Sequence, residues 1–231
     1  MVPPATAEAR EAIAQEREAA RDGARAGFIE RWWAGEAGPA GHLLDLATAP
    51  LEAAYRAAIR VRNASYASGR RSIRVGAPVV SVGNLSVGGA GKTPVPRWLV
   101  QWYERRGARP AVLHGGYALD EPELHRAWNP DVPVLVGRDR VASARAAVEG
   151  GATILILDDG FQHRRLRRDL DLVLVAAEGW DASPRLLPRG PWREPPTALC
   201  RADVVAVTRK TASIEEARRV AAEVSDYTGG V

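Results

Sequence analysis

The stretch Ser81-Val-Gly-Asn-Leu-Ser-Val-Gly-Gly-Ala-Gly-Lys-Thr-Pro94 decides the fold of this 231-residue chain. It reads as a β-strand that runs into a glycine-rich turn and then into a helix. The glycines let backbone N–H groups point at phosphate oxygens, Lys92 reaches the β- and γ-phosphates, and the Thr93 hydroxyl can hold Mg²⁺. Ser86 occupies the position of the first glycine in the strict pattern, but the Gly-Lys-Thr ending is intact. The stretch therefore predicts a P-loop that binds a nucleoside triphosphate.

Other glycine-rich motifs fit this stretch less well. A dinucleotide fingerprint needs a third glycine at fixed spacing and no lysine. A nucleophile elbow needs Gly-x-Ser-x-Gly, whereas Ser86 stands three residues after Gly83. A plain glycine-rich turn between a strand and a helix is the remaining alternative, but it does not explain a lysine at the phosphate-binding position. The predicted nucleotide-binding residues are Ser86, Val87, Gly88, Gly89, Ala90, Gly91, Lys92 and Thr93.

Short β-branched runs alternate with helical patterns on both sides of this motif. Such alternation predicts crossover connections and a parallel sheet covered on both faces. The chain is therefore predicted to be an α/β protein of the P-loop nucleoside triphosphate hydrolase type, with helices on both faces of a parallel sheet and an N-terminal helical arm. The predicted strands are 78–82, 110–113, 132–136, 153–157, 170–175 and 204–208, and the predicted helices are 92–106, 139–149 and 213–224. A proline-rich segment, 176–196, is predicted to be a long functional loop.

The composition excludes several classes of protein. A single cysteine, Cys200, excludes a disulfide scaffold and indicates a reducing compartment. The net charge of +4 is too small to predict nucleic-acid binding. No signal peptide and no apolar run of the ~18–20 residues that span a bilayer is expected. We therefore expect a protein of the cytosol or of a membrane surface. Lys92 and Lys210 are the only lysines among 32 lysine and arginine residues, so the presence of lysine rather than arginine at each position needs a specific reason.

Residues 1–75 are predicted to form the helical arm, followed by a P-loop core domain over 76–231. Leu51, Tyr55 and Ile59 form an apolar stripe at spacing four, and a run of arginines follows with no acidic residue between them. An interfacial helix uses this combination, with apolar side chains in the headgroup boundary and arginines on anionic lipid. A helix packed on the core with solvated arginines fits the same pattern. Both interpretations stay open at this point.

Acidic and basic residues follow the predicted strands. Asp158 and Asp159 end the strand 153–157, at the carboxyl edge where ligands bind in open α/β folds. Asp120 and Glu121 lie beyond the second strand and are candidates for a general base, although a helix N-terminus favours acids equally. Several arginines flank the same edge and are suited to binding an anionic substrate, with ordinary solvated arginine as the alternative. They are Arg138, Arg140, Arg185, Arg189 and Arg193.

These motifs, taken in order, resemble the tetraacyldisaccharide 4′-kinase family, the lipid A 4′-kinases. The resemblance covers most of the chain from about residue 28 to residue 208. It rests on Ser81 to Pro94, Asp120-Glu-Pro122, Val136-Gly-Arg-Asp-Arg140, Leu157-Asp-Asp-Gly-Phe-Gln-His163 and Leu186-Leu-Pro-Arg-Gly-Pro-Trp-Arg-Glu-Pro195. It implies a kinase that transfers the γ-phosphate of ATP, with Mg²⁺, to the 4′-hydroxyl of a tetraacyldisaccharide 1-phosphate in lipid A biosynthesis.

The resemblance also implies roles for individual residues. Asp120 corresponds to the proposed base on the acceptor hydroxyl. The implied catalytic residues are Asp120, Lys92 and Asp159, the implied metal ligands are Thr93, Asp158 and Glu121, and the implied substrate contacts are Arg140, Arg193 and Glu194. The implied setting is peripheral, on the cytoplasmic face of the inner membrane of a Gram-negative-type bacterium. No nucleic acid and no obligate protein partner is expected.

The chain departs from the family pattern in two ways. His114-Gly-Gly-Tyr117 stands where the family reads Ser-Arg-Gly-Tyr, so an arginine is absent. The family's C-terminal lobe, with a histidine thought to assist Asp120, is expected to be missing. Two alternatives therefore stand beside the kinase: a P-loop switch ATPase, and a catalytically impaired nucleotide-binding paralogue or fragment.

Overall fold

A parallel six-stranded sheet forms the centre of the computed structural model, which describes residues 27–88, 94–116 and 121–228. The strand order is β3-β2-β4-β1-β5-β6, and every neighbouring pair is parallel. The strands are β1 (Val79–Asn84), β2 (Pro110–His114), β3 (Val134–Val136), β4 (Ile154–Asp158), β5 (Leu170–Ala176) and β6 (Val204–Thr208). All six predicted strands are confirmed.

Six α-helices occur in the described residues. They are α1 (Phe28–Trp33), α2 (Gly38–Ala67), α3 (Pro94–Glu104), α4 (Glu121–Trp128), α5 (Arg140–Glu149) and α6 (Ile214–Ser225), with short 3₁₀ turns at Ala177–Gly179 and Pro196–Arg201. The predicted helices correspond to α3, α5 and α6. At the start of α6 the Ser213 hydroxyl accepts a hydrogen bond from the Glu216 N–H, as the capping-box pattern predicts. Residues 1–26, 89–93, 117–120 and 229–231 lie outside the described part of the chain.

Alternate residues of the central strands pack against helices on opposite faces of the sheet. One face packs the side chains of α3 against β1 and β4, and the other packs those of α5 against the same two strands. The first set includes Leu99, Val100, Val80, Val82, Ile154 and Ile156, and the second includes Val141, Ala144, Val79, Leu155 and Leu157. Strands buried on both faces are nearly continuous apolar runs, because neither side meets water. The predicted α/β fold with helices on both faces is confirmed.

The topology places a crevice at the carboxyl ends of β1 and β4. The chain after β1 leads to β2 on one side of the sheet, whereas the chain after β4 leads to β5 on the other side. In open α/β sheets, ligands bind where the strand order reverses in this way. Val82 of β1 lies opposite Asp158 of β4 in the parallel register. The predicted P-loop and the acidic pair therefore leave the sheet at the same edge.

The contacts divide the chain into two compact units, Met1–Leu51 and Glu52–Val231. This division lies before residue 75, the end of the arm that the sequence predicts. Pro50, inside α2, directly precedes it and lacks the N–H that would continue the helical hydrogen bonding. In the first unit, Leu43 and Leu46 are 71% and 77% exposed. None of the described helices combines the length and apolar character needed to cross a bilayer.

From Glu52 onward, α2 packs within the second unit. Ile59 is buried, and the Tyr55 hydroxyl donates a hydrogen bond to the Arg193 carbonyl at 3.0 Å. The buried Glu52 carboxylate accepts from the Leu186 N–H at 2.9 Å and pairs with Arg56. Tyr55 and Ile59 of the apolar stripe are therefore packed on the core rather than placed at a lipid interface.

The turn after β4 packs directly on β1 at Gly83. A Cβ atom at Gly83 would lie 2.6 Å from the Phe161 Cβ and 2.8 Å from the Phe161 backbone nitrogen. Such distances are too short for a side chain, so only glycine lets the turn approach the strand this closely. Phe161 itself is fully buried. The close approach fixes the position of the acidic residues that precede it.

We predict that Gly83→Ala lowers the free energy of unfolding by about 1–3 kcal/mol, because the added methyl group forces the turn away from β1. Urea denaturation followed by tryptophan fluorescence measures this change. The control is Gly179→Ala, whose added Cβ would meet no atom within 4 Å. Equal stability of the two variants would contradict the packing described here.

His163, in the same turn, stays uncharged in the folded protein. Burial lowers its pKa, and the nearby guanidinium groups of Arg140 and Arg168 contribute, so that the pKa is about 4. In the unfolded chain the imidazole titrates near its ordinary value of 6.5. Between these two values the unfolded state binds the proton and the folded state does not, so stability falls as the pH falls.

We predict that His163→Gln removes this part of the acid sensitivity. The free energy of unfolding is measured by urea denaturation at pH 7 and pH 4.5, and the loss between them is expected to be smaller in the variant than in the wild type. The same loss in both proteins would show that His163 does not titrate in this way.

Candidate active site

Three groups of metal-ligand type meet at the carboxyl edge of the sheet. His114 ends β2, Asp158 ends β4, and Glu121 opens α4. One ligand atom from each residue lies within 4.8 Å of the other two. His114 and Asp158 are buried, whereas Glu121 is partly exposed. The resemblance implies Thr93, Asp158 and Glu121 as metal ligands, and the structure brings the last two together. This donor set fits a divalent cation, because Mg²⁺ is held by one or two carboxylates.

Each carboxylate of this cluster also contacts a histidine ring. The His114 Nε2 lies 2.9 Å from the Glu121 Oε2, and the His125 Nε2 lies 2.8 Å from the Asp158 Oδ2. His125 is fully buried on α4. The Asp158 Oδ1 additionally accepts a hydrogen bond from the Asp159 N–H at 2.8 Å. Residues of β2, β4 and α4 therefore fix the two carboxylates in place.

Asp159 contacts a different group from Asp158. Its backbone has φ of 50°, in the left-handed region that non-glycine residues seldom adopt. Its Oδ2 forms an ion pair with Arg193 Nη1 at 2.7 Å, and the same nitrogen lies 3.4 Å from the Gln162 Oε1. The next residue, Gly160, donates a backbone hydrogen bond across to the Val82 carbonyl of β1 at 3.0 Å. The acidic pair is thus split between the metal-type cluster and an arginine.

The loop that carries Arg193 also contacts the start of the predicted P-loop. The Val87 N–H donates to the Pro191 carbonyl at 2.7 Å, and Ser86 forms a β-bridge with Trp192. Gly88 has φ of 108°, a conformation that favours glycine. The other predicted phosphate-binding residues, Gly89 to Thr93, lie outside the described residues, as does Asp120. The described part of the P-loop therefore begins beside the Arg193 loop.

The other two predicted substrate residues are buried. Arg140 opens α5, is 3% exposed and donates a hydrogen bond to the Gly137 carbonyl. The Glu194 carboxylate is fully buried and accepts hydrogen bonds from Nη1 and Nη2 of Arg201, at 2.7 and 3.1 Å. Burial alone would raise the pKa of Glu194, but the hydrogen bonds and charge of Arg201, with the Asn63 amide, lower it. Through these contacts Glu194 holds the loop that carries Arg193 against the rest of the protein.

A cavity of about 380 Å³ adjoins the start of the P-loop. Ser86, Trp192 and Lys210 are among the residues that line it. The Glu178 carboxylate, which also lines the cavity, holds the segment that carries Lys210, because it accepts hydrogen bonds from the N–H groups of residues 210–212. The bond from Ala212 is the main reason that the pKa of Glu178 is lowered to about 2. This places the second lysine of the chain beside the nucleotide-binding region.

Sequence reasoning missed three members of this site. His114 was visible only as a departure from the family pattern, and neither His125 nor Glu178 belonged to any motif. The one available signal was position, because His114 ends a buried strand at the carboxyl edge.

Comparison with known proteins gives a consistent result. The tetraacyldisaccharide-1-P 4′-kinase (LpxK) family matches residues 44–121 and 118–228. A tetraacyldisaccharide 4′-kinase of Anaeromyxobacter dehalogenans strain 2CP-C is 43% identical over an alignment that covers 86% of this chain and 59% of the relative. The kinase of Stutzerimonas stutzeri is 40% identical, with 71% and 55% covered.

A solved structure supports the same assignment. LpxK from Aquifex aeolicus, in complex with ATP, is 34% identical with a TM-score of 0.66, and the match covers 71% of this chain and 59% of that one. The chain thus spans less than two thirds of the length of these relatives. With most of its residues matched and the motifs in the family order, the chain belongs to the tetraacyldisaccharide-1-P 4′-kinase family.

Proposed function

We propose that this chain binds ATP at Ser86–Thr93 and transfers its γ-phosphate to the 4′-hydroxyl of a tetraacyldisaccharide 1-phosphate, a step of lipid A biosynthesis. The observation that carries the proposal is the cluster of His114, Glu121 and Asp158 at the carboxyl edge. It lies at the end of the strand paired with the one that leads into the P-loop. The ATP bound to the Aquifex aeolicus relative supports the choice of nucleotide.

The proposed nucleotide site divides its tasks among backbone and side chains. The backbone N–H groups of the loop hold the phosphates, and Lys92 neutralises charge on the β- and γ-phosphates. Asp158, Glu121 and Thr93 would hold Mg²⁺, which when bound neutralises charge on the transferred group. Phosphoryl transfer needs positioning and charge neutralisation more than covalent chemistry, so these groups suffice for that half of the site.

The acceptor half of the proposed site centres on Asp120. Its carboxylate takes the proton of the 4′-hydroxyl as the hydroxyl oxygen bonds to the γ-phosphorus and the bond to the β–γ bridging oxygen breaks, which releases ADP. Arg193, oriented by Asp159 at 2.7 Å, presents a fixed guanidinium to anionic groups. Arg140 is buried against the Gly137 carbonyl, so its proposed effect on the same substrate is exerted through the start of α5. The buried Glu194 acts on the substrate through the loop that it holds.

The proposed setting is the cytoplasmic face of the inner membrane of a Gram-negative-type bacterium. Phe28 and Ile29 of α1 are 47% and 55% exposed, and Leu43 and Leu46 of α2 are more exposed than these two. Exposed apolar residues of this kind enter the headgroup boundary of a bilayer. The predicted helical arm spans residues 1–75. We propose that the part of it before Glu52 contacts the membrane.

We predict that Lys92→Ala and Asp120→Asn both abolish lipid phosphorylation, but through different steps. Labelled γ-phosphate transfer from Mg²⁺–ATP to a tetraacyldisaccharide 1-phosphate in mixed micelles measures the reaction. Fluorescent ATP binding is expected to weaken strongly in Lys92→Ala and to persist in Asp120→Asn. The control is Asp131→Asn, which changes an exposed acid in the neighbouring loop.

The same assay separates the alternatives. Lysine-dependent labelling of the lipid establishes the kinase in this chain. ATP hydrolysis without lipid labelling would favour a switch ATPase, and ATP binding with neither reaction would indicate a catalytically impaired member of the family. Normal transfer by Asp120→Asn would remove that residue from the role of base.

We predict that the double variant Leu43→Ser, Leu46→Ser binds vesicles about tenfold more weakly or worse, because two apolar side chains no longer enter the interface. Sedimentation with vesicles containing phosphatidylglycerol measures binding. The control is Ile214→Ser, which removes an apolar side chain that is 44% exposed on α6. Unchanged binding by the double variant would contradict the proposed membrane contact.

A further inference from the structure

We propose that His114 and His125 are positioning residues that hold Glu121 and Asp158 rigidly and thereby make the metal site select Mg²⁺ over Ca²⁺. The inference rests on the proposed function insofar as it takes the cluster to be the metal site of that reaction. It assigns a role to His114, which stands where the family pattern has serine, and to His125, which lies outside the sequence motifs. Its basis is the hydrogen bonding around each ring.

The contacts of His114 determine which of its nitrogens carries the hydrogen. The Gly116 N–H donates a hydrogen bond to the His114 Nδ1 at 3.1 Å, so this nitrogen is the acceptor. The Nε2 therefore carries the hydrogen and donates to the Glu121 Oε2 at 2.9 Å. A nitrogen that carries hydrogen does not ligate a metal. His114 is thus a donor to the carboxylate ligand rather than a ligand itself.

The turn after β2 is built to hold this orientation. Gly116 has φ of 73°, and a Cβ atom there would lie 3.0 Å from the Val136 side chain. Both the backbone conformation and the limited space favour glycine at this position. The His114 carbonyl accepts from the Gly137 N–H at 3.0 Å, which ties the end of β2 to the segment after β3. The imidazole therefore has little rotational freedom.

His125 holds the second carboxylate from α4. Its Nε2 lies 2.8 Å from the Asp158 Oδ2, and both side chains are at least 96% buried. The carboxylate accepts hydrogen bonds, so this nitrogen donates. The Asp159 N–H donates to the other oxygen at 2.8 Å, so Asp158 is held through both oxygens. Glu121 and His125 lie four residues apart on α4, which links the two carboxylates through one helix.

Rigid carboxylates favour the smaller ion. Mg²⁺ requires near-octahedral geometry at short distances, whereas Ca²⁺ accepts variable geometry and more ligands. Hydrogen-bond partners of metal ligands typically contribute 10–100-fold to metal affinity. Removing such a partner frees the carboxylate to rotate, which costs Mg²⁺ affinity and costs Ca²⁺ affinity much less. The histidines therefore affect selectivity as well as affinity.

The test measures metal binding to the full chain without nucleotide or lipid. Mn²⁺ serves as the probe, its free fraction is followed by electron paramagnetic resonance, and Mg²⁺ and Ca²⁺ are titrated as competitors. We expect His114→Ala to weaken Mg²⁺ binding about 10-fold or more and Ca²⁺ binding less than about threefold. His114→Gln, whose amide N–H can donate to Glu121, is expected to restore most of the Mg²⁺ affinity.

Controls separate positioning from folding. His42→Ala changes an exposed histidine of α2 and is expected to bind all three ions as the wild type does. Thermal unfolding of each variant identifies any that fails to fold. His125→Gln tests the histidine that holds Asp158. If this variant does not fold, the His114 variants alone decide the proposal.

Three results would overturn the proposal. The first is the absence of Mn²⁺ binding by the wild type, and the second is equal weakening of Mg²⁺ and Ca²⁺ by His114→Ala. The third is a ¹⁴N coupling in the echo-modulation spectrum of bound Mn²⁺ that disappears in His114→Ala, because it would make His114 a ligand. All are independent of lipid phosphorylation, so failure of the proposed kinase reaction is distinguishable from failure of this inference.

Discussion

The parallel pairing of β1 with β4 is the constraint on which the rest of the site depends. Backbone hydrogen bonding sets Val82 opposite Asp158, and the side-chain alternation then decides which residues enter the core. A shift of one residue would turn Leu155 and Leu157 toward the opposite face and move the acidic pair with them. Because the side chains of both faces are closely packed against helices, such a shift would leave cavities and clashes on each face and is therefore opposed. The sheet thereby delivers the phosphate loop and the carboxylates to one edge.

Local backbone chemistry then separates two neighbouring acids. Asp158 ends the strand and is held by His125, whereas Asp159 adopts a positive φ and turns to Arg193. Adjacent carboxylates would repel each other if both faced the same ligand, and each has instead a partner that stabilises its charge. A strained backbone conformation of this kind persists only where contacts with the surrounding structure hold it in place. Here the turn is held by its close packing against Gly83 of β1.

The strands are predictable because their signal lies in consecutive residues. Much of the site depends instead on contacts between residues far apart in the sequence. The run from Ile154 to Leu157 is β-branched or leucine throughout, and its burial follows from composition alone. The P-loop and the acidic pair were found because their spacing has a chemical meaning. The pairs His114–Glu121 and His125–Asp158 depend on how α4 lies over the ends of β2 and β4. That placement is tertiary, and no periodicity in the sequence encodes it.

The proline-rich segment 176–196 illustrates a further limit of sequence reasoning. Its prolines predict a loop, and the predicted substrate residues Arg193 and Glu194 suggest two side chains facing a ligand. Instead, α2 holds this segment: Glu52 accepts from the Leu186 N–H and Tyr55 donates to the Arg193 carbonyl. A buried carboxylate is stable only when paired, and Arg201 with Asn63 completes that pairing at Glu194. With its neighbour anchored inside the protein, Arg193 is left to meet Asp159 in a fixed orientation. The buried pair of Glu194 and Arg201 thus supports the partly buried pair of Arg193 and Asp159. Because Arg193 and Glu194 are adjacent in the chain, loss of the first pair would be transmitted to the second through a single peptide unit.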